Sequence, residues 1–252
     1  MNSRLGILGG GRAAWAYGSS WRRAGLPISG VWLRPESASR LPELLGAPRR
    51  TLEEVAGGSD FLLIAATDRA INGIAQSIPQ TPAIIFHASG AVGSVRGGFS
   101  LHPLKALPPV GEPSDLRDTL LVFEGSHRAV AERVATALQA RFAEVSAKEK
   151  PLYHAGAVFG ANYVAVMLDI AERLMAEAGV RDVRADLIAL AESALANWRN
   201  HEGRERFTGP AARGDEEVVE RHRRLLAGDP QTAELYGLLA EYIRRNKVAA
   251  PE

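Results

Sequence analysis

Two periods of apolar residues divide this chain. In the first part, short apolar runs alternate with stretches whose apolar positions recur every three or four residues. Residues 5–8, 28–33, 61–65, 83–86, 100–102 and 120–123 read as strands. Residues 12–24 read as a helix stopped at Gly25, with Ala14, Gly18 and Trp21 along one face. An amphipathic helix over 129–141 and a strand over 143–146 complete this part. Strands alternating with helices predict a mainly parallel α/β sheet.

From Lys150 only the helical period remains. Phe159, Tyr163, Val166, Ile170 and Leu174 are spaced by three and four residues and predict a long helix ending near Gly179. Further helices are expected over 184–197, 216–227 and 230–245, the last with Asp229 as N-cap and Pro230 at the first helical position. The expected division is a nucleotide-binding domain over 1–146 and an all-helical domain over 147–252.

The first strand runs into Gly9-Gly10-Gly11-Arg12-Ala13-Ala14, which has the form G-x-G-x-x-A and opens a helix. That is the dinucleotide-binding fingerprint of a Rossmann fold. Gly9 permits the tight turn, Gly11 lets backbone approach a pyrophosphate, and Ala14 keeps the helix close to the sheet. Arg12 and Ala13 carry first-turn N–H groups that can face the phosphate. An NAD enzyme places an acidic residue at the end of the second strand, about 20 residues beyond the glycines. Here that place reads Leu33-Arg34-Pro35-Glu36-Ser37, with Arg40 nearby. Arg34, with Ser37, suits a ribose 2′-phosphate, so NADP is favoured over NAD; Glu36 is the dissenting residue.

Composition narrows the class. The chain has 252 residues, 46% hydrophobic and 23% charged, as in ordinary folded domains. A net charge of +1 gives no field for nucleic acid or a membrane surface. The absence of cysteine removes disulfides, thiolate zinc sites and a cysteine nucleophile, and no metal site is read elsewhere. Residues 155–170 include Asn162 and Asp169 and read as too short and too polar to span a membrane. A cytoplasmic protein acting on a small molecule is expected.

Hydride transfer needs one managed proton, and histidine is the natural carrier. His87-Ala88-Ser89-Gly90 closes a strand where α/β sheets place ligands, making His87 a candidate for chemistry and Ser89 one for the cofactor. His102, in Leu101-His102-Pro103-Leu104-Lys105, closes another, with Lys105 close by. His154 lies eight residues before Asn162, a little over two helical turns, so both side chains are expected on nearly the same side. In Thr208-Gly209-Pro210-Ala211-Ala212-Arg213-Gly214-Asp215, Arg213 could hold a carboxylate and Thr208 a hydroxyl, while Asp215 reads as an N-cap.

Taken together, GGGRAA, IAATD, FHASGA, LHPLKAL, YHAGAVFGANY and FTGPAARGD resemble a bacterial family over nearly the whole chain. That family pairs a Rossmann-like domain with a C-terminal helical domain of unknown function. More distantly the chain is similar to ketopantoate reductase, pyrroline-5-carboxylate reductase, prephenate dehydrogenase and the 3-hydroxyisobutyrate dehydrogenases. The resemblance implies a Rossmann sheet followed by an all-α domain of the 6-phosphogluconate dehydrogenase type. It implies a reductase or dehydrogenase of small keto, hydroxy or imino acids, ketopantoate among them, and a homodimer formed through the helices. A non-catalytic NADP-binding or sensing protein on the same fold is the alternative. In these relatives the loop after the fourth strand lies along the cofactor, which implicates Thr67, with Asp68 capping the next helix. A His-Pro pair in prephenate dehydrogenases supports His102. Some of the relatives carry a lysine four residues before a helix asparagine. At that offset from Asn162 this chain has Val158, leaving His154, or Lys105 and His102, to handle the proton.

Overall fold

Seven strands lie side by side in one sheet. The computed structural model describes residues 3–245, and contacts divide the chain into two units, Met1–Asn162 and Tyr163–Glu252. The first unit runs β1 (Leu5–Leu8), α1 (Arg12–Arg23), β2 (Ile28–Trp32), α2 (Leu41–Leu45), α3 (Leu52–Gly58), β3 (Phe61–Ile64), α4 (Asp68–Ser77) and β4 (Ile84–His87). It continues with β5 (Phe99–Pro103), β6 (Leu120–Gly125), α5 (Arg128–Ala137), β7 (Arg141–Glu144) and α6 (Lys150–Gly160).

Strands β2, β1, β3, β4 and β5 are mutually parallel, and their inward residues are almost all apolar because both faces are covered. β6 then runs antiparallel to β5, and β7 parallel to β6. Tyr17, Phe86, Phe99 and Phe123 pass an aromatic core from α1 across β4, β5 and β6. The Tyr17 hydroxyl, fully buried, donates to the Leu101 carbonyl at 2.5 Å and so joins α1 to β5. The order reverses at β1, which has β2 on one side and β3 on the other. The crevice outside these strand ends is where open α/β sheets bind ligands.

The segment between β5 and β6 is a long loop strapped onto α1. Trp15 Nε1 donates to the Glu112 carbonyl at 2.6 Å, Ser19 Oγ to the Ser114 carbonyl at 3.2 Å, and Arg23 pairs with Asp115. These contacts set α1, and with it the glycine turn at its start.

The structure departs from the sequence reading at short or interrupted elements. α2 and α3 have five and seven residues, too few turns to show a period. α5 ends at Ala137 instead of 141, because Gln139 adopts φ 56° and Arg141 already belongs to β7. The expected long helix breaks at Ala161 (φ −132°, ψ −66°) into α6 and α7 (Asn162–Glu177). Taken as one run, Lys150–Glu177 has the length and composition of a membrane-crossing helix, which corrects the expectation that this stretch is too short. Its first residue, however, is anchored in the first unit's sheet as described below.

The second unit is helical throughout its described residues. It contains α8 (Arg184–Asn200), α9 (Pro210–Arg213), α10 (Glu216–Leu225) and α11 (Pro230–Arg245). Ala211, Val219 and Ala240 form its small core. Asp229 caps α11 as expected, accepting from the Thr232 N–H at 3.2 Å. Asp215 stands at the N-cap of α10 but does not cap through its side chain. It binds the Arg213 guanidinium at 2.9 Å instead, which corrects the capping expectation and occupies Arg213.

Candidate functional site

The glycine turn, the β2 end, the β3 and β4 loops and the β5 end all lie at the carboxyl edge of the parallel strands. Gly9 adopts φ +126°, and a Cβ there would stand 2.1 Å from the Ala65 carbonyl oxygen. Only glycine fits between β1 and β3 at this point. Gly11 is the N-cap of α1 and has open space where its side chain would be. The first turn of α1 has no side-chain cap and no acidic residue. Its N–H groups therefore lack intrahelical partners and face an opening that suits a pyrophosphate. Ala14 is buried against the sheet, and Ala13 packs at its margin. Arg12 is exposed, with a 3.4 Å contact from Nη1 to the Leu107 carbonyl.

The loop after β2 folds back over the glycines. Gly9 N–H donates to the Trp32 carbonyl at 3.0 Å, and Ser39 Oγ donates to the Gly10 carbonyl at 2.8 Å. Arg34 is exposed and contacts Glu36 at 3.3 Å, while Ser37 closes a turn onto the Arg34 carbonyl. Thr67 is the N-cap of α4 and leaves its hydroxyl uncommitted. The cap is therefore Thr67 and not Asp68, which is the first helical residue, and the loop follows the third strand, not a fourth. Ser89 Oγ accepts from the Ala91 and Val92 N–H groups at 3.1 and 3.0 Å and so shapes the turn after β4.

Register places His87, Ser100 and Glu124 opposite one another on β4, β5 and β6. Partners in register share a face, so they form a polar row across an otherwise apolar sheet. Lys150, at the start of α6, is only 2% exposed and ends on this row. Its Nζ donates to Glu124 Oε2 at 3.2 Å, to Ser100 Oγ at 2.5 Å and to the Val92 carbonyl. Glu124 also accepts from Ser94 N–H and Oγ at 2.9 and 3.1 Å. The pair thus pins both ends of the 92–94 turn. Burial pushes the Lys150 ammonium below its usual range, opposed by Glu124.

His102, two residues along β5 from Ser100, points to the same face. Its Nδ1 lies 2.6 Å from the Tyr153 hydroxyl. His154, on the same turn of α6, meets the His102 ring edge-on at 5.7 Å, and its buried Nδ1 has no hydrogen-bond partner. Gly90 forms the floor between the rings: a Cβ there would stand 2.4 Å from His154 Nδ1 and 3.1 Å from His102 Cε1. Burial, then the neighbouring His154 and Lys150, push His102 down to about 4, against Asp68. Burial raises Tyr153 to about 12. Both groups are neutral near pH 7. With the tyrosine as donor, the His102 proton sits on Nε2.

His87 has a different part. Its Nδ1 accepts the Ser89 N–H at 3.2 Å and its Nε2 donates to the Gly93 carbonyl at 2.9 Å. Both nitrogens are spent on the loop, and burial pushes the ring down to about 4. Among the other expected residues, His102 and His154 are brought together and Lys105 and Asn162 are not. Lys105 Nζ donates to the Asp115 carbonyl in the loop strapped to α1. Asn162 is exposed, and the break at Ala161 removes the shared face expected with His154. Thr208 and Arg213 line a separate cavity of about 460 Å³ within the second unit. The sequence reading missed Tyr153, Lys150, Glu124 and Ser100. A glutamate and a serine inside apolar strands were the available signal. Among the described residues, no group of three or more histidine or acidic side chains could hold a metal ion.

No curated protein matches the sequence. Residues 120–243 match the family model of DUF2520, a domain of unknown function. The resemblance to a family with a helical domain of unknown function therefore holds. The matched segment contains Glu124, Lys150, Tyr153 and His154, while the glycine turn and His102 precede it. By structure the chain is similar to a Bacteroides fragilis protein provisionally named an NADP oxidoreductase, at 23% identity and TM-score 0.81, covering 97% of this chain and 98% of that one. It is also similar to a Thermotoga maritima protein at 21% identity and TM-score 0.75, covering 96% and 98%. A Plasmodium falciparum pyrroline carboxylate reductase with NADP bound matches at 12% identity and TM-score 0.62, covering 98% and 100%. These likenesses show the Rossmann-like α/β fold with its helical C-terminal region.

Replacing Lys150 by Met leaves Glu124 buried without its cation and is expected to cost about 3–5 kcal/mol in denaturant unfolding. A loss below about 1 kcal/mol would contradict the pinning role. The two depressed histidines also set a pH dependence. Between about 4 and the unfolded value near 6.5, the unfolded chain binds protons that the native rings refuse. Stability should therefore fall as pH drops through this window. NMR titration should show both rings neutral at pH 5.5; a His102 midpoint near 6.5 would contradict the buried site.

Proposed function

We propose that this chain is an NADP-dependent oxidoreductase that moves a hydride between the nicotinamide and a small keto, hydroxy or imino acid. One observation carries this reading. An uncapped, glycine-opened helix start and the Tyr153–His102–His154 cluster lie at the same edge of one sheet. The names of the structural neighbours support it.

The residues fit the cofactor: the α1 first turn suits the pyrophosphate, Thr67 the path along the edge, and Arg34 a 2′-phosphate. When bound, NADPH supplies the hydride. In the reductive direction, the substrate carbon accepts that hydride and its oxygen or nitrogen accepts one proton. His102 Nε2–H donates that proton while Nδ1 takes up the proton of Tyr153, which solvent then restores. A developing alkoxide is more basic than tyrosinate, so this transfer runs downhill. His154 Nδ1, lacking a partner, is free to orient a polar group of the substrate.

The helical unit is also proposed to form a homodimer. No residue of α7 is buried, and Ile188, Leu190, Leu195 and Trp198 on α8 are exposed. A single-chain mass in sedimentation at micromolar concentration would contradict it.

The direct test of the reaction is loss of NADPH fluorescence over a panel of 2-oxo acids, ketopantoate included. Turnover is expected with the wild type. Tyr153→Phe and His102→Asn should slow it by roughly 10²–10⁴-fold with NADPH affinity unchanged. NADPH binding without turnover across the panel would favour the non-catalytic alternative.

A further inference from the structure

The end of β2 carries a second guanidinium that the cofactor reading has not used. Residues 48–50 run beside this strand: Val31 N–H donates to the Pro48 carbonyl at 2.9 Å, and Arg50 N–H donates to the Val31 carbonyl at 3.0 Å. Arg49 therefore sits in a parallel bridge with Val31. The segment is fixed beyond this point, because Thr51 and Glu54 close a reciprocal capping box at the start of α3. From that position the exposed Arg49 side chain reaches along the strand end, and its Nη2 donates to the Arg34 carbonyl at 3.2 Å.

The charges do not cancel here. Glu36 contacts Arg34 at 3.3 Å, whereas Arg49 has no ion pair among the described residues. A guanidinium has five N–H donors, and a single carbonyl uses only one of them. The same loop is tied to the glycine turn through Trp32 and Ser39, so the two arginines stand on the ribose side of the expected nucleotide.

We infer that Arg49 is a specificity-determining residue that joins Arg34 in a two-guanidinium clamp for a ribose 2′-phosphate. The inference rests on the nucleotide reading of the glycine turn. A phosphate monoester carries about −1.5 to −2 charge at pH 7 and three acceptor oxygens. Arg34, already paired with Glu36, meets only part of that demand. Arg49 supplies the uncompensated charge and further donors, and its backbone is already set before the ligand arrives. Glu36 opposes the phosphate, so its removal should sharpen the preference.

Calorimetric titration of the full chain with 2′,5′-ADP and 5′-AMP tests this. The wild type should bind 2′,5′-ADP more tightly. Arg49→Ala should weaken 2′,5′-ADP roughly tenfold or more and leave 5′-AMP unchanged, with Arg49→Lys recovering part of the loss. Glu36→Gln should strengthen 2′,5′-ADP alone. If Arg49→Ala moves neither ligand, or both equally, while Arg34→Asp still costs only 2′,5′-ADP, the clamp is overturned and the NADP reading stands. If the wild type shows no preference for 2′,5′-ADP, the NADP reading fails and takes the clamp with it.

Discussion

Lys150 carries an ammonium into the protein interior, where an unpaired charge would cost several kcal/mol. It is tolerated there because Glu124, Ser100 and the Val92 carbonyl surround it with acceptors. Much follows from this one placement. It fixes the start of α6 against β5 and β6, and one turn of that helix then delivers Tyr153 and His154 to the end of β5. Through Glu124 it also fixes the Ser94 end of the β4–β5 turn. Gly90 within that turn leaves room for both imidazoles. Burial, with His154 and the Lys150 ammonium nearby, keeps His102 neutral. The proposed proton group is thus positioned by the same interaction that holds α6 to the sheet.

The nucleotide end depends on a different constraint, the close passage of Gly9 under the Ala65 carbonyl. A side chain at Gly9 would separate β1 from β3 and lift the start of α1 away from the crevice. The strap between β5 and β6 holds α1 from its other side through Trp15, Ser19 and Arg23. On the proposed reading, the phosphate and the proton would be handled from one rigid sheet edge, as positioning for hydride transfer requires.

Much of this was legible in the sequence, for local reasons. The glycine turn, the first strand and α1 announce themselves within twenty residues, because tight turns and helix starts are written in adjacent residues. The helices of the second half are equally plain, since each repeats its period several times. Short α2 and α3 do not, and Gln139 gave no sign of the backbone turn that ends α5. The site was half visible. His102 and His154 stood out as histidines in motif-like places, but Tyr153 looked like one more aromatic on an apolar helix. Its partner lies 51 residues away, and no local pattern reports such a pairing. Lys150 stands where the helical period takes over, although a lysine facing a glutamate inside an apolar strand belongs to a core. Asn162 failed for a specific reason: an eight-residue spacing aligns side chains only along an unbroken helix, and Ala161 breaks this one.

The most direct measurement is a crystal structure of the chain grown with NADPH. The account predicts the pyrophosphate on the N–H groups of Gly11 to Ala13, the 2′-phosphate at Arg34, and the nicotinamide beside Tyr153, His102 and His154. A nucleotide seated away from the glycine turn, or one whose nicotinamide points away from Tyr153 and the two histidines, would contradict it.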